Sequence, residues 1–402
     1  MRRLIAALCV IGIFAIGFVV WAFQLPSEQD ALDVLEDRPF QLHMSPEQTK
    51  DLDFVLAALH ARQAAGDNTK LIMGSSEFSF FEGCSAYPSV FFGESNYGMD
   101  TMMVGNPWFQ SLWHAIEVGA LDEAIPDNKV AIFVSVQWFL DYQDVAEDYR
   151  YAYSRESLEA FLANEAISDE LKDTVVKRAS EYGVDVAWAT GPSFSSVPDA
   201  INGFAEELLS RTEHVRQLAN GEGEGSQSAN QAIPPGRFSA ASSPDWDALM
   251  SVSAKEGEAA TRSNSFGMLD SYYENAYEAW LESTRANKAV NEAGGVVNPN
   301  EPVDFQLLLD VCKACEVEPL IIIMPVKGSA YDETQYTSEV RELAYSTIRG
   351  LCEENEVSYY DTTSHEYDLY YIRDVMHLGW TGWADIDRVL YDFYLPNRQG
   401  AA

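Results

Sequence analysis

Three short runs of uninterrupted apolar residues constrain this chain more than anything else in it. They are Leu71-Ile72-Met73 behind Lys70, Val130-Ala131-Ile132-Phe133-Val134, and Leu320-Ile321-Ile322-Ile323-Met324. A strand with one wet face alternates apolar and polar residues, whereas a run that does not alternate is covered on both faces, as in a parallel sheet held between helices. Two weaker candidates, Thr101-Met102-Met103-Val104 and Val357-Ser358-Tyr359-Tyr360, extend the set. Helical spacing fills the intervals, at Trp108, Leu112, Ile116 and Ala120, and again at Trp380, Trp383, Ile386, Val389, Leu390 and Phe393 before Pro396. Strand alternating with helix predicts an α/β fold whose parallel sheet is covered on both sides.

From about residue 140 to 302 the strand pattern fades. Residues 155–182, 199–220 and 266–292 read as helices, and 221–230, rich in Gly, Ser and Glu, reads as a loop. This predicts one α/β domain over 27–402 with a helical insertion at about 140–302. Residues 1–26 read as a membrane anchor, because the uncharged run 4–23 would rise about 30 Å as a helix and so match a bilayer's hydrocarbon core. A cleaved signal peptide has a shorter apolar region and a small-x-small site, which Trp21-Ala22-Phe23-Gln24 does not offer. Arg2 and Arg3 before the span, and Glu28 and Asp30 after it, predict a cytoplasmic N-terminus and an extracellular domain.

Charge and cysteine content exclude some functions. With 26 Lys+Arg against 63 Asp+Glu, a net charge of −37, the 402-residue chain lacks the basic face that neutralises nucleic-acid phosphates. The same acidity would repel a polyanionic substrate, so the placement of basic residues such as Lys327 and Arg373 relative to His377 matters more than the total. Five cysteines are too few for a disulfide framework. Cys312 and Cys315 stand three apart in a helical pattern without a second pair or a nearby His, so two small residues on a helix face fit better than a metal or redox site.

No metal-binding signature and no Gly-rich phosphate loop is present, which leaves nucleophilic chemistry without a cofactor. Gly74-Ser75-Ser76-Glu77 follows the first strand, at the carboxyl end of the sheet where open α/β folds place their sites. Turns there also carry Gly and Ser for backbone reasons alone. Asp374-Val375-Met376-His377, just before the final helix, can supply a base and its orienting carboxylate from one loop, which is what a serine nucleophile needs.

Taken together, Gly74-Ser75-Ser76-Glu77-Phe78, Gln137-Trp138-Phe139, Asn264-Ser265-Phe266-Gly267, Met324-Pro325-Val326 and the string from Asp374 through His377-Leu378-Gly379-Trp380 to Trp383 resemble the DltD family over the whole chain. The resemblance implies a three-layer α/β/α, flavodoxin-like fold of the SGNH hydrolase class and a role in D-alanylation of lipoteichoic acid. It also implies partnership with a membrane-bound O-acyltransferase (DltB-like) and with a D-alanyl carrier protein. By position in that class, Ser76 is the expected nucleophile, ahead of Ser75, with His377 as base and Asp374 orienting it. The Ser76 N–H, the Gly105 N–H and the Gln137 side chain are the expected oxyanion donors. Gly105 reads equally well as a plain turn glycine. Glu77 could attract the ammonium of a D-alanyl group, or could be a first-turn carboxylate favoured by the helix dipole. An O-acetyltransferase or esterase for another wall polysaccharide, and a non-catalytic adaptor, are the alternatives. Trp108, Trp138, Trp380 and Trp383 suit docking or, more commonly, the core. Val136 and Lys327 stand where the family usually has Pro and Asn, which bears on substrate fit.

Overall fold

A computed structural model describes residues 46–396, apart from 65, 67, 80, 141–144, 191–241 and 287–297. All five runs picked out above are strands: β1 (Thr69–Gly74), β2 (Asp100–Gly105), β3 (Lys129–Ser135), β4 (Glu318–Met324) and β5 (Ser358–Asp361). They form one parallel sheet in the order β2-β1-β3-β4-β5. That is the flavodoxin-like doubly wound order, and its direction reverses between β1 and β3, so the loops leaving those two strands part to opposite faces and open a crevice.

The helices used below are α1 (Leu52–Ala64), α2 (Pro88–Glu94), α3 (Ser111–Leu121), α4 (Arg155–Ala163), α5 (Asp169–Glu181), α6 (Trp246–Ala260), α7 (Glu301–Ala314), α8 (Ser338–Glu354) and α9 (Trp380–Tyr394). The uninterrupted apolar runs are explained by two separate cores. Leu71, Met73, Ile132 and Ile321 face α1, α3, α7 and α8, whereas Ile72, Phe133 and Ile322 face α2, α6 and α9. β1 to β4 therefore bury both of their side-chain rows between the two helix layers, while the edge strand β5 is only half-buried.

Between β3 and β4 the described elements are helical. The expected helix over 155–182 is broken in two, because Asn164 turns its amide onto the Gly119 carbonyl and the Asp122 carboxylate and Ser168 then caps α5. The helix expected from residue 266 begins only at Asp270, because Asn264 and Asp270 bind the backbone of the preceding turn. Trp108 is not on a helix at all, since α3 starts at Ser111. The expected span 4–23, helix 199–220 and loop 221–230 lie outside the described residues. Among the described residues no helix is long and apolar enough to cross a membrane. Cys312 and Cys315 are buried free thiols at the end of α7.

Candidate active site

The turn after β1 is a single 3-10 turn, Ser76–Phe78, entered directly from Gly74 and Ser75. Gly74 pairs in register with Gly105 at the end of β2. A methyl group on Gly105 would run into the Gly74 carbonyl, and one on Gly74 would run into the Glu77 carboxylate and the Phe78 ring. Close approach of the β1 backbone thus requires glycine at 105, whereas at 74 it is the Glu77 and Phe78 side chains that occupy the space a Cβ would need. The effect is to hold the β1 turn tight and lift Ser76, which is half-buried, above a buried Phe78.

Phe78 packs edge-on against Phe133 at 5.3 Å and lies 6.4 Å from Trp383 in α9. Trp383 is fully buried, and truncating such a side chain typically costs about 3–5 kcal/mol. One aromatic cluster therefore fixes both the turn that carries Ser76 and the start of the helix that follows His377. Trp380 is buried as well and donates its indole N–H to the Gly83 carbonyl at 3.1 Å.

The loop 373–377 is pinned from every side. The Arg373 N–H donates to the His377 carbonyl at 2.8 Å, the Lys327 N–H to the Val375 carbonyl at 2.9 Å, and the Leu269 N–H to the Arg373 carbonyl at 2.7 Å. The last bond gives the Asn264-to-Asp270 stretch its place in the site. Within the loop, Asp374 Oδ1 accepts the backbone N–H groups of Met376 and His377, each at 2.8 Å.

These two segments, 301 residues apart in sequence, meet in a hydrogen-bonded chain. Ser76 Oγ lies 2.8 Å from His377 Nε2, and His377 Nδ1 lies 2.8 Å from Asp374 Oδ2. Burial works to raise the Asp374 carboxyl, but the His377 ring, its hydrogen bonds and the Arg373 guanidinium outweigh it and hold Asp374 well below the usual carboxylate range. Arg373 sits with Nε 3.7 Å from Asp374 and its guanidinium over the Phe81 ring. Lys327 is buried behind the same loop, where desolvation pushes its amine down to about 8 against the pull of Asp374 and Asp368. Both basic residues therefore do cluster near His377, but behind the loop and not on the cavity wall.

In front of the chain lies a cavity of about 220 Å³. Its polar wall is Ser75, Ser76, Gln110, Gln137 and His377, and its apolar wall comes from Pro107, Trp108, Trp138, Leu140 and Met376. Gln137, at the start of the short helix after β3, donates Nε2–H to the Tyr331 hydroxyl at 2.6 Å. Ser75, the alternative nucleophile, is buried and gives its hydroxyl to the Asn106 carbonyl at 3.2 Å, away from His377. Gly105 does not line the cavity, and strand packing accounts for it. Glu77 does not line it either: the carboxylate is 3% exposed and turns back to accept the Ser75 N–H, with its pKa raised by burial to about 7. Of the four tryptophans, Trp380 and Trp383 are core, Trp138 is a buried wall and only Trp108 reaches solvent. The sequence offers Trp108 for docking or core but counts it into the helical pattern of α3, although Asn106-Pro107 before it is a turn signal.

Fold and site together define a three-layer α/β protein with a Ser-His-Asp chain at the switch point of its sheet. Residues 47–395 match the model of the family described as DltD protein. The chain is 26% identical over 328 residues to Protein DltD of Bacillus subtilis, an alignment covering 80% of this chain and 81% of that one. It is 24% identical over 324 residues to Protein DltD of Staphylococcus aureus, with 79% and 78% covered. The protein belongs to the DltD family.

Proposed function

We propose that this protein transfers D-alanyl groups to lipoteichoic acid through an acyl ester on Ser76. The observation that carries this reading is the unbroken chain from the Ser76 hydroxyl through His377 to Asp374 at the wall of a cavity. The involvement of the DltD family in D-alanylation of lipoteichoic acid supplies the acyl group and its acceptor. Serine after the first strand and D-x-x-H before the last helix fit the SGNH layout.

In the first step Ser76 Oγ attacks the carbonyl carbon of a D-alanyl ester or thioester while its proton passes to His377 Nε2. The negative charge that develops on the carbonyl oxygen is met by the Ser76 N–H and by Gln137, whose amide has a second hydrogen beyond the one given to Tyr331. The bond to the leaving alkoxide or thiolate breaks, and that group takes the proton from His377. In the second step a hydroxyl of the polymer attacks the acyl-Ser76 carbonyl, its proton goes to Nε2, and collapse returns a proton to Ser76 and leaves the D-alanyl ester on the acceptor. Water in place of the hydroxyl gives an esterase or thioesterase side activity. Asp374 holds the Nδ1 proton and stabilises the imidazolium throughout.

Residues 4–23 cross the membrane in this reading and place the site outside the cell. A membrane-bound O-acyltransferase and a D-alanyl carrier protein are the partners. Ser76→Ala is expected to abolish D-alanine esters on lipoteichoic acid while the protein still reaches the membrane, measured as alkali-released D-alanine. Undiminished esterification would sink the reading in favour of an adaptor. The mass of the acyl group trapped on Ser76 separates D-alanyl from acetyl transfer.

A further inference from the structure

We infer that Trp108 recognises the ammonium of the aminoacyl group delivered to Ser76, holding that cation against the face of its indole. The inference rests on the D-alanyl reading of the site above.

Trp108 and Ser76 line the same cavity, and Trp108 is 38% exposed at its lip. The other three tryptophans considered above are 7% exposed or less. A large aromatic face left open beside a nucleophile is available to a substrate in a way that a core side chain is not.

The backbone gives an independent indication. Phe109 N–H donates to the Asn106 carbonyl at 3.0 Å, closing a four-residue turn with Pro107 second and Trp108 third, and Trp108 has φ +75°. A turn with proline second and a left-handed third residue is of type II, and that third position favours Gly or Asn. Bulky residues are strained there, and such strain persists where the side chain has a task at a binding site. Here the chain keeps tryptophan where glycine would be at ease, and the turn aims it at the cavity.

Charge complementarity points the same way. Among the described residues no Asp or Glu lines the cavity. Glu77 faces inward to the Ser75 amide, and Asp374 is taken up by His377, two backbone N–H groups and the nearby Arg373. A cation entering the cavity therefore meets no described carboxylate on its wall, and the electron-rich indole face is the complementary surface. Tryptophan is the best of the aromatic residues at this, and the interaction strengthens as water is excluded.

The test is binding of D-alanine methyl ester and of methyl D-lactate, which has a hydroxyl in place of the ammonium, to the Ser76→Ala protein at about pH 6, where an α-amine is charged. NMR titration should show the cationic ester binding more tightly, with Trp108→Leu weakening it roughly tenfold and leaving methyl D-lactate within about twofold. Trp108→Phe should keep most of the preference. The amide spectrum of each variant reports whether it is folded; in folded Trp108→Leu and Trp108→Phe, equal losses on the two esters overturn the inference, as does equal affinity in the parent. Because Ser76 is absent from this assay, failure here is separate from failure of the acyl-serine reading, which shows as no acyl group trapped on Ser76 in the unmodified protein.

Discussion

Two carboxylates flank the Ser76–His377 pair, and they are buried almost equally: Asp374 is 7% exposed and Glu77 3%. Their proton affinities nevertheless diverge. Asp374 stays below the ordinary range, while Glu77 is raised to about 7. Desolvation opposes the charged form of both, so burial alone cannot separate them. The difference lies in how many donors each meets. Asp374 faces two backbone N–H groups and the His377 ring at 2.8 Å, with Arg373 beyond. Glu77 accepts the Ser75 N–H and its own backbone N–H, with no side-chain donor, in a turn otherwise packed with Phe78 and Tyr87, and feels His377 and Arg373 only through longer-range attraction. One carboxylate is built to stay ionised beside His377, and the other, beneath Ser76, titrates near neutral pH.

The largest effect should come from removing the charge of the first. In Asp374→Asn the side-chain oxygen can still accept the Met376 and His377 N–H groups, which turns the amide N–H₂ toward His377 Nδ1. That fixes the imidazole proton on Nε2, so the ring presents a donor to Ser76 where it should present an acceptor. Ester hydrolysis by Asp374→Asn is expected to fall by about 10³–10⁴-fold with little change in fold. A loss smaller than tenfold would mean that Asp374 is an ordinary capping carboxylate.

The second carboxylate predicts a change in stability. Glu77 binds its proton more tightly folded than unfolded, so its contribution is fully present below about pH 4.5 and is lost as pH rises through about 7. Glu77→Gln cannot ionise. Relative to its own value near pH 4, its unfolding free energy should gain on the parent's as pH rises, by roughly 3 kcal/mol in all. Denaturant unfolding of both proteins from acid to mildly alkaline pH measures this, and parallel curves would show that Glu77 titrates normally.

These differences were only partly legible in the sequence. β1, β3 and β4 were legible because their runs are apolar on both faces, β2 and β5 more weakly because polar residues enter theirs, and both site segments because strand-end turns and D-x-x-H loops use local chemistry. The direction of Glu77 was not, since it depends on Gly74, whose missing side chain leaves room for the carboxylate to fold back to Ser75. The place of Trp108 outside α3 was not legible either, because its spacing to Leu112 and Ile116 imitates a helix, while Pro107 turns the chain one residue earlier. The break at Asn164 was hidden for a related reason, because it is made by contacts to Gly119 and Asp122 across the fold. Periodicity reports which face is buried, and it is silent about a side chain that reaches a distant partner.

The smallest effect should come from Arg373, the cation that both carboxylates share. Its guanidinium lies over Phe81 and lowers the proton affinity of Asp374 and of Glu77 alike, at Asp374 less than burial and the His377 ring do, and at Glu77 less than burial, the backbone hydrogen bonds and His377. Arg373→Gln keeps a long polar side chain and the backbone bond to His377 while removing the charge. Both carboxyl groups should then hold protons more tightly, with the Glu77 midpoint moving above about 7 by less than roughly one unit. Carboxyl ¹³C shifts followed by NMR across neutral pH would measure the change. An upward shift at Glu77 with little change in ester hydrolysis at pH 8 places Arg373 as a local counterweight in a chain of net charge −37, confined to the back of the loop. A midpoint that does not move would leave the contrast between the carboxylates to hydrogen bonding and desolvation alone, with no share for the cation.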